Sequence, residues 1–430
     1  MPKKYKAEMW DTVQKFFETY NDHMMHVIVE LRGRLDIDRF KQSFLQLIDI
    51  FPIFTCKYRA GLLRANWVKQ SFNLDAMFQI VESGSQREMM NFLANKIEEE
   101  KGPQIKIAVF RGDDHDNICF LINHMLFDGN NLKEMLYLLS RCYENLATDP
   151  RYKDPYRSGS RAFKQLYKNF KLQDKIKSAL MLNYGQKNTE KNGFPYEKSI
   201  YASPRFVLHD YDATDFKTMR DFGKLYGCTF NDVFLTIYSR ATARVISADK
   251  NVPLELDCIV DLRRYLKEKQ TKGLTNFVSK VICQTENPPD EDIVTAVKKM
   301  AEQMNKNKSS YPGLQGLALL RFASFILPYP VARATMLKVF NNPLVALSNI
   351  GLVDGSRVVF DEPVKDVFMT GSMKYAPYIQ LSCVSCNNVL HGCVALHGTD
   401  RDEARVNEMY AIMDKDIEEM RAILAAAEVV

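Results

Sequence analysis

Asn117-Ile118-Cys119-Phe120-Leu121-Ile122-Asn123-His124-Met125-Leu126-Phe127-Asp128-Gly129 is the stretch that decides how this chain folds. Five consecutive apolar residues, 118–122, predict a strand over 117–122. His-x-x-x-Asp-Gly then closes the strand and opens a helix, because Leu132, Met135, Leu136 and Leu139 recur at helical spacing just beyond it. With seven histidines, 53 acidic residues and 19 glycines in 430 positions, chance supplies this spacing at most about 0.04 times per chain. A histidine at a strand end is held by rigid backbone, where a cleft can reach it. Asp128 is tied to the turn and is expected to anchor the loop through a cation from elsewhere. Gly129 is expected to let the chain turn back into the helix. The same residues also fit a plainer role, a hydrogen-bonded histidine followed by a helix-capping aspartate.

Upstream, residues 104–110 and 117–122 flank a turn at Gly112, Asp113 and Asp114, a hairpin pattern. Residues 24–31 read as a strand closed by Gly33, and Asp36 caps a helix with Phe40, Phe44, Leu45 and Ile48 on one side. Short strands are expected at 53–58 and 63–68, and Ser85-Gln86-Arg87-Glu88 has the capping-box spacing of a helix reaching about Lys96. Downstream, 151–203 is polar and basic, with one amphipathic helix expected at Phe163, Leu166, Tyr167 and Phe170. Residues 151–200 hold twelve Lys/Arg against four Asp/Glu, a local +8 in a chain of +5, so the rest is about −3. After it come a strand at 205–208, helices at 215–225 and from Thr229 through Ala241, and strands at 253–260, 279–284, 344–348, 358–360 and 364–370. A hairpin of 379–386 and 389–397 turns on Asn387-Asn388, and a charged helix spans 401–427. Helices and strands alternate irregularly, so the expected class is α/β, or α+β with mixed sheets. The expected organisation is an N-terminal lobe (1–150) carrying the motif, a basic crossover (151–203) and a C-terminal lobe (204–430).

Hydrophobic residues make up 46% and charged residues 26% of the chain, which excludes disordered, collagen-like and fibrous classes. No apolar run reaches the roughly 20 residues of a membrane helix; the nearest, 316–332, is interrupted by Arg321, Pro328 and Pro330. The basic start Met-Pro-Lys-Lys-Tyr-Lys has no apolar region behind it, so a cytoplasmic protein is expected. The nine scattered cysteines then read as reduced thiols. Cys383, Cys386, His391 and Cys393 begin like a zinc knuckle, but residues three apart on a strand point to opposite faces and the His-to-Cys spacing is too short; no metal is expected. A net charge of +5 is too small to argue for nucleic acid.

The motif resembles the core of the His-His-x-x-x-Asp-Gly signature of the chloramphenicol acetyltransferase-like acyltransferase superfamily. That group includes condensation domains of peptide synthetases, wax ester synthases and alcohol acetyltransferases. Residues 26–31 with Gly33, Leu35 and Phe40, and then Phe51-Pro52-Ile53-Phe54, are similar to the opening strand and helix of such enzymes. Val260-Asp261-Leu262-Arg263-Arg264-Tyr265 and Leu274-Thr275-Asn276-Phe277-Val278 resemble a segment of the wax-ester and condensation branches, and Leu347-Ser348-Asn349-Ile350-Gly351 a strand-end motif there. Asn123 stands where the condensation signature has its first histidine.

The resemblance implies two chloramphenicol acetyltransferase-like lobes in a pseudo-dimer, with an active-site tunnel between them and His124 at its centre. It implies His124 as general base, Asp128 in a structural ion pair with Arg263 (Arg264 as second choice), and Gly129 for loop geometry. Ser348, Asn349 and Asn276 are the substrate or oxyanion candidates, though Ser348 and Asn349 fit equally as groups satisfying a loop. The chemistry agrees: moving an acyl group from a thioester to a hydroxyl or amine needs a base near neutral pH, and no covalent intermediate is required. The expected donor is acyl-CoA or a phosphopantetheinyl acyl carrier protein as co-substrate, with no tightly bound cofactor. Direct transfer to an alcohol is the first reading. A free-standing condensation enzyme forming an amide from a carrier-bound acyl or aminoacyl thioester is the second, and a non-catalytic acyl- or carrier-binding relative the third. The basic crossover fits the phosphates of coenzyme A, an acidic carrier protein, an anionic membrane surface, or simply a solvated helix face. A monomer is expected.

Overall fold

The computed structural model describes residues 2–180, 193–246, 253–286, 291–308, 311–314, 316–339, 342 and 344–427; residues 181–192 of the expected crossover lie outside the described residues. The first part contains β1 (Lys4–Lys6), α1 (Met9–Phe16), β2 (Met24–Glu30), α2 (Ile37–Ile50), β3 (Cys56–Arg59), β4 (Asn66–Lys69), β5 (Phe78–Val81), α3 (Gln86–Leu93), β6 (Ile105–Arg111), β7 (Asp116–Asn123) and α4 (Gly129–Thr148). After α5 (Leu172–Leu180) come β8 (Ser203–Tyr211), α6 (Ala213–Leu225), α7 (Phe230–Val245), β9 (Leu254–Asp261), β10 (Val278–Thr285), α8 (Ile293–Lys308), α9 (Leu317–Ile326) and α10 (Tyr329–Val339). The chain ends with β11 (Val345–Val353), β12 (Val359–Phe360), β13 (Glu362–Pro363), β14 (Asp366–Thr370), β15 (Ile379–Cys386), β16 (Val389–Gly398) and α11 (Asp400–Ala427). The class is mixed α/β.

β7 is buried at every position because it is the middle strand of a five-stranded sheet, ordered β14-β2-β7-β6-β5, with helices on both faces. Ile118, Phe120 and Ile122 join the core formed with Phe40 and Phe44 of α2 and Leu132, Leu136 and Leu139 of α4. Cys119 packs on the opposite side with Met89 and Leu93 of α3, as the period of two requires. A six-stranded sheet, β10-β9-β11-β15-β16-β8, packs against α6, α7, α8 and α11 in a second core. Its β15–β16 hairpin turns on Asn387 and Asn388, both at positive φ, a conformation asparagine tolerates better than most residues. Cys383 packs into the second core and Cys386 into the first.

The strand expected at 53–58 begins only at Cys56, after a 3-10 helix over Pro52–Thr55, and two further differences bear on the architecture. β14, read as a strand of the second lobe, pairs antiparallel with β2, from Asp366 opposite Glu30 to Thr370 opposite His26. Without it β2 would be an edge with unpaired backbone groups; alternation shows that a segment is a strand but not which edge it completes. The helix expected at 163–170 is a 3-10 helix over Phe163–Asn169. Three residues per turn align Phe163 with Leu166, and both are buried in a third core with Trp10, Phe16, Leu262 and Phe277.

Candidate active site

β7 delivers His124 to a loop whose backbone is held at several points. The His124 N–H donates to the His23 carbonyl at 2.9 Å. Asn123, the histidine position of the condensation signature, is buried; its amide donates to Gln104 Oε1 (2.8 Å) while its oxygen accepts from the Met125 N–H (2.9 Å). The Asn276 amide donates to the carbonyls of His124 (2.8 Å) and Met125 (3.3 Å). Arg161, read from sequence as part of a solvated crossover, donates to the carbonyls of Leu126 and Leu274 (both 2.7 Å) and forms a two-pronged pair with Asp11 of α1. No spacing signal marks it, because its partners come from three distant segments.

Asp128 caps α4, accepting from the Asn131 N–H at 3.1 Å. It also accepts both Nη groups of Arg263 at 3.0 Å and the Phe277 N–H at 2.7 Å. Asp128 and Arg263 are almost wholly buried, and Arg263 donates further to Asp261, Asn131 and the Thr275 carbonyl. Burial opposes the guanidinium's charge, but the Asp128 and Asp261 carboxylates outweigh it and raise its pKa. Arg264 is exposed. Gly129 has no positive φ. A Cβ there would lie 3.1 Å from Ile350 Cγ2, so it is the close approach of β11, rather than a special turn, that favours glycine.

The His124 side chain is neither exposed nor sealed. Its Nδ1 is enclosed and has no hydrogen-bond partner. Burial lowers the pKa; the residue's own carbonyl, the Asp128 carboxylate and the Asn276 amide counter this, and Lys374 reinforces it. The imidazole is therefore neutral near pH 7, the form that accepts a proton. Ser348 and Asn349 make no hydrogen bond to the motif. Asn349 is used at a bulge, accepting from the Gly351 N–H (2.8 Å) and donating to Asn231 (2.7 Å). β11 reaches α4 instead through Lys133, whose ammonium donates to the carbonyls of Ile350 (2.9 Å) and Leu352 (3.3 Å).

Three residues beside the site gave no sequence signal. Lys374 bridges Asn21 on one side and Leu396 of β16 on the other, so it sits at the seam between the sheets; burial pulls its pKa down to about 8. Asp22 accepts from the N–H groups of Met24 and Met373, both at 3.0 Å, and burial pushes its pKa up to about 7. His26 is wholly buried against Phe206, and burial drives its pKa down to about 3. His23 contacts Glu99 at 3.2 Å.

The α/β fold, with His-x-x-x-Asp-Gly on a loop clamped by an arginine from the segment after β9, is that of the chloramphenicol acetyltransferase-like, condensation-domain acyltransferase superfamily. The condensation-domain family model matches residues 8–318, and the chain belongs to that family. No curated protein sequence matches. Among solved structures, the TRI3 trichothecene 15-O-acetyltransferase from Fusarium sporotrichioides is similar at a TM-score of 0.70 and 12% identity, covering 95% of each chain. Polyketide synthase associated protein 5 from Mycobacterium tuberculosis is similar at 0.66 and 13%, covering 96% of this chain and 98% of that one. The condensation domain of the Monacolin K polyketide synthase MokA is similar at 0.66 and 11%, covering 97% and 98%. Family membership supports acyl-transfer or condensation chemistry in general. Among the described residues, no helix is long and apolar enough to cross a membrane.

Proposed function

We propose that this chain is a condensation-type acyltransferase that moves an acyl group from a phosphopantetheine thioester to an amine. His124 acts as general base at the centre of a passage between two similar lobes, in a monomeric, cytoplasmic protein. Nδ1 is enclosed, which leaves Nε2 as the nitrogen that meets the acceptor. Nε2 takes the acceptor's proton as the nucleophile adds to the thioester carbonyl; the tetrahedral intermediate collapses, the carbon–sulfur bond breaks, and the proton passes to the departing thiolate. Base catalysis of this kind contributes about 10²–10⁴-fold. Asp128 and Arg263 touch no substrate in this scheme; they position the loop.

The observation that carries the reading is a partly accessible, neutral imidazole on a loop fixed from both sheets. The family match favours the amine over the alcohol. Ester formation is the second reading, supported by the similarity to the 15-O-acetyltransferase. Screening thioester donors for thiol release with mixed amines and alcohols tests both. His124→Ala should abolish release while circular dichroism stays unchanged; retained turnover would remove the base assignment.

A further inference from the structure

His23 stands just before β2, and its backbone departs from the strand it precedes. Its φ is +47°, a left-handed conformation uncommon outside glycine, in a residue that is wholly buried. Such a conformation persists only where the surroundings fix it. Here they fix it at three atoms. The His23 N–H donates to Asn21 Oδ1 at 2.8 Å, the ring Nε2 lies 3.2 Å from Glu99 Oε2, and the carbonyl accepts the His124 N–H at 2.9 Å. The β2–β7 ladder ends at Met24 opposite Asn123, so the bond to His124 lies one step beyond it and depends on how His23 is held.

Glu99 is held in turn. It is buried, and its other carboxylate oxygen meets the Lys15 ammonium of α1. Burial opposes its charge, but the hydrogen bonds from His23 and Lys15 outweigh this and bring its pKa down to about 2. Burial lowers the pKa of His23, so the ring is neutral. An ionised carboxylate only accepts, which places the ring proton on Nε2 and leaves the enclosed, unpartnered Nδ1 bare. The Glu99 carbonyl also accepts from the Gln104 side chain at 3.0 Å, and Gln104 Oε1 accepts from the Asn123 side chain at 2.8 Å. A closed circuit results, running from His124 through His23, Glu99, Gln104 and Asn123 back to His124 along the chain.

We propose that His23 is a positioning residue for His124: its left-handed turn, locked by Asn21 and Glu99, sets the carbonyl that holds the His124 backbone and so fixes where the imidazole stands. The inference rests on the base reading above and adds a hold on the loop separate from the Asp128–Arg263 pair. Rotation about φ turns a residue's own carbonyl, so a return to negative φ carries the hydrogen-bond acceptor away from His124. A displacement of about 1 Å at a reacting group can cost about 10²-fold in rate, so a small shift of this carbonyl is enough to be felt.

His23→Ala, His23→Gly, Glu99→Ala and Glu99→Gln in the full chain provide the test, with folding followed by circular dichroism. Both His23 variants lose the ring, but only glycine takes the left-handed turn freely. Both Glu99 variants lose the charge, but only glutamine keeps an acceptor for the ring. Two quantities are read in each: hydrogen exchange at the His124 amide, and kcat and KM for thiol release. His23→Ala and Glu99→Ala should speed the exchange and lower kcat by about tenfold or more, with KM changed by less than about twofold. His23→Gly and Glu99→Gln should each lie closer to the unaltered chain than the matching alanine variant. Asn21→Ala should move both readouts the same way as His23→Ala, and it decides the matter if His23→Ala does not fold. A lowered urea midpoint with exchange and kcat unchanged means a purely structural role and overturns the proposal, as does glycine at 23 faring no better than alanine in both readouts. If the unaltered chain transfers no acyl group from any donor, the proposed function fails and the exchange data still decide this inference. If transfer depends on His124 but ignores every one of these variants, this inference alone fails.

Discussion

Replacing Asp128 with alanine removes a carboxylate that answers four donors at once: both Nη groups of Arg263, the Phe277 N–H and the Asn131 N–H. The Arg263 side chain left behind is only 2% exposed, so water cannot replace the lost partner. Removing one member of a buried pair costs about 3–5 kcal/mol, and losing the α4 cap adds about 1 kcal/mol. Three contacts soften the loss. Asp261 keeps its bond to Nη1 at 3.0 Å, and the Asn131 side chain and Thr275 carbonyl keep theirs to Nη2. The expected net destabilisation is about 3–4 kcal/mol, read as a lowered urea midpoint in the fluorescence of Trp10 and Trp67, together with a fall in thiol release. Asp128→Leu combined with Arg263→Met removes both charges. Apolar replacement of a buried pair is often neutral or stabilising, so the double variant should recover most of the stability but not the activity. A loss under 1 kcal/mol for Asp128→Ala, with thiol release at the level of the unaltered enzyme, would refute the clamp.

Lys374→Met takes a positive charge away from His124, so the imidazole's pKa should rise and the acid limb of the pH–rate profile should move to higher pH; an unmoved limb separates Lys374 from the site. His391 donates to Asp210 of β8 (2.8 Å) and Asp366 of β14 (2.9 Å), joining the two sheets. Burial alone would lower its pKa, but the two carboxylates raise it to about 9. A raised pKa stabilises fully below the unfolded value of about 6.5 and is lost as pH climbs through 9, so urea midpoints should drop between pH 6.5 and 9.5 by roughly 1–3 kcal/mol. His391→Gln should flatten that dependence.

How much of this was legible in the sequence follows from the range of the forces involved. β7, the motif and α4 form one local unit, in which an apolar run, a capping aspartate and helical periodicity sit within about 25 residues; the pattern alone places them. Arg263 was found because a resemblance supplied its partner, since a separation of 135 positions from Asp128 carries no periodic signal. Ser348 and Asn349 show the opposite case. Their residue types suit an oxyanion donor, yet a bulge at 349–351 turns the Asn349 amide to local needs. Lys374 and Asp22 carry no pattern of their own in the sequence, and they are at the site only because the backbone of 371–375 bridges both sheets.

That bridging makes the catalytic loop depend on how the two sheets sit against each other. The His124 loop belongs to the first sheet through β7, but the groups that fix it, Arg263, Asn276 and the Phe277 N–H, come from the segment that links β9 and β10 of the second. β14 runs the other way, leaving the second half of the chain to close the first sheet. Each sheet therefore completes the other, and a small rotation between them would lengthen the Asp128–Arg263 bonds and lift Asn276 from the His124 carbonyl in the same movement. A charged pair suits this post better than an apolar contact of similar size. Two parallel hydrogen bonds between planar groups tolerate little misalignment, whereas packed aliphatic side chains slide at small cost. On this argument Arg263→Lys should harm turnover far more than folding, because a lysine keeps the charge but has no fork with which to hold the angle.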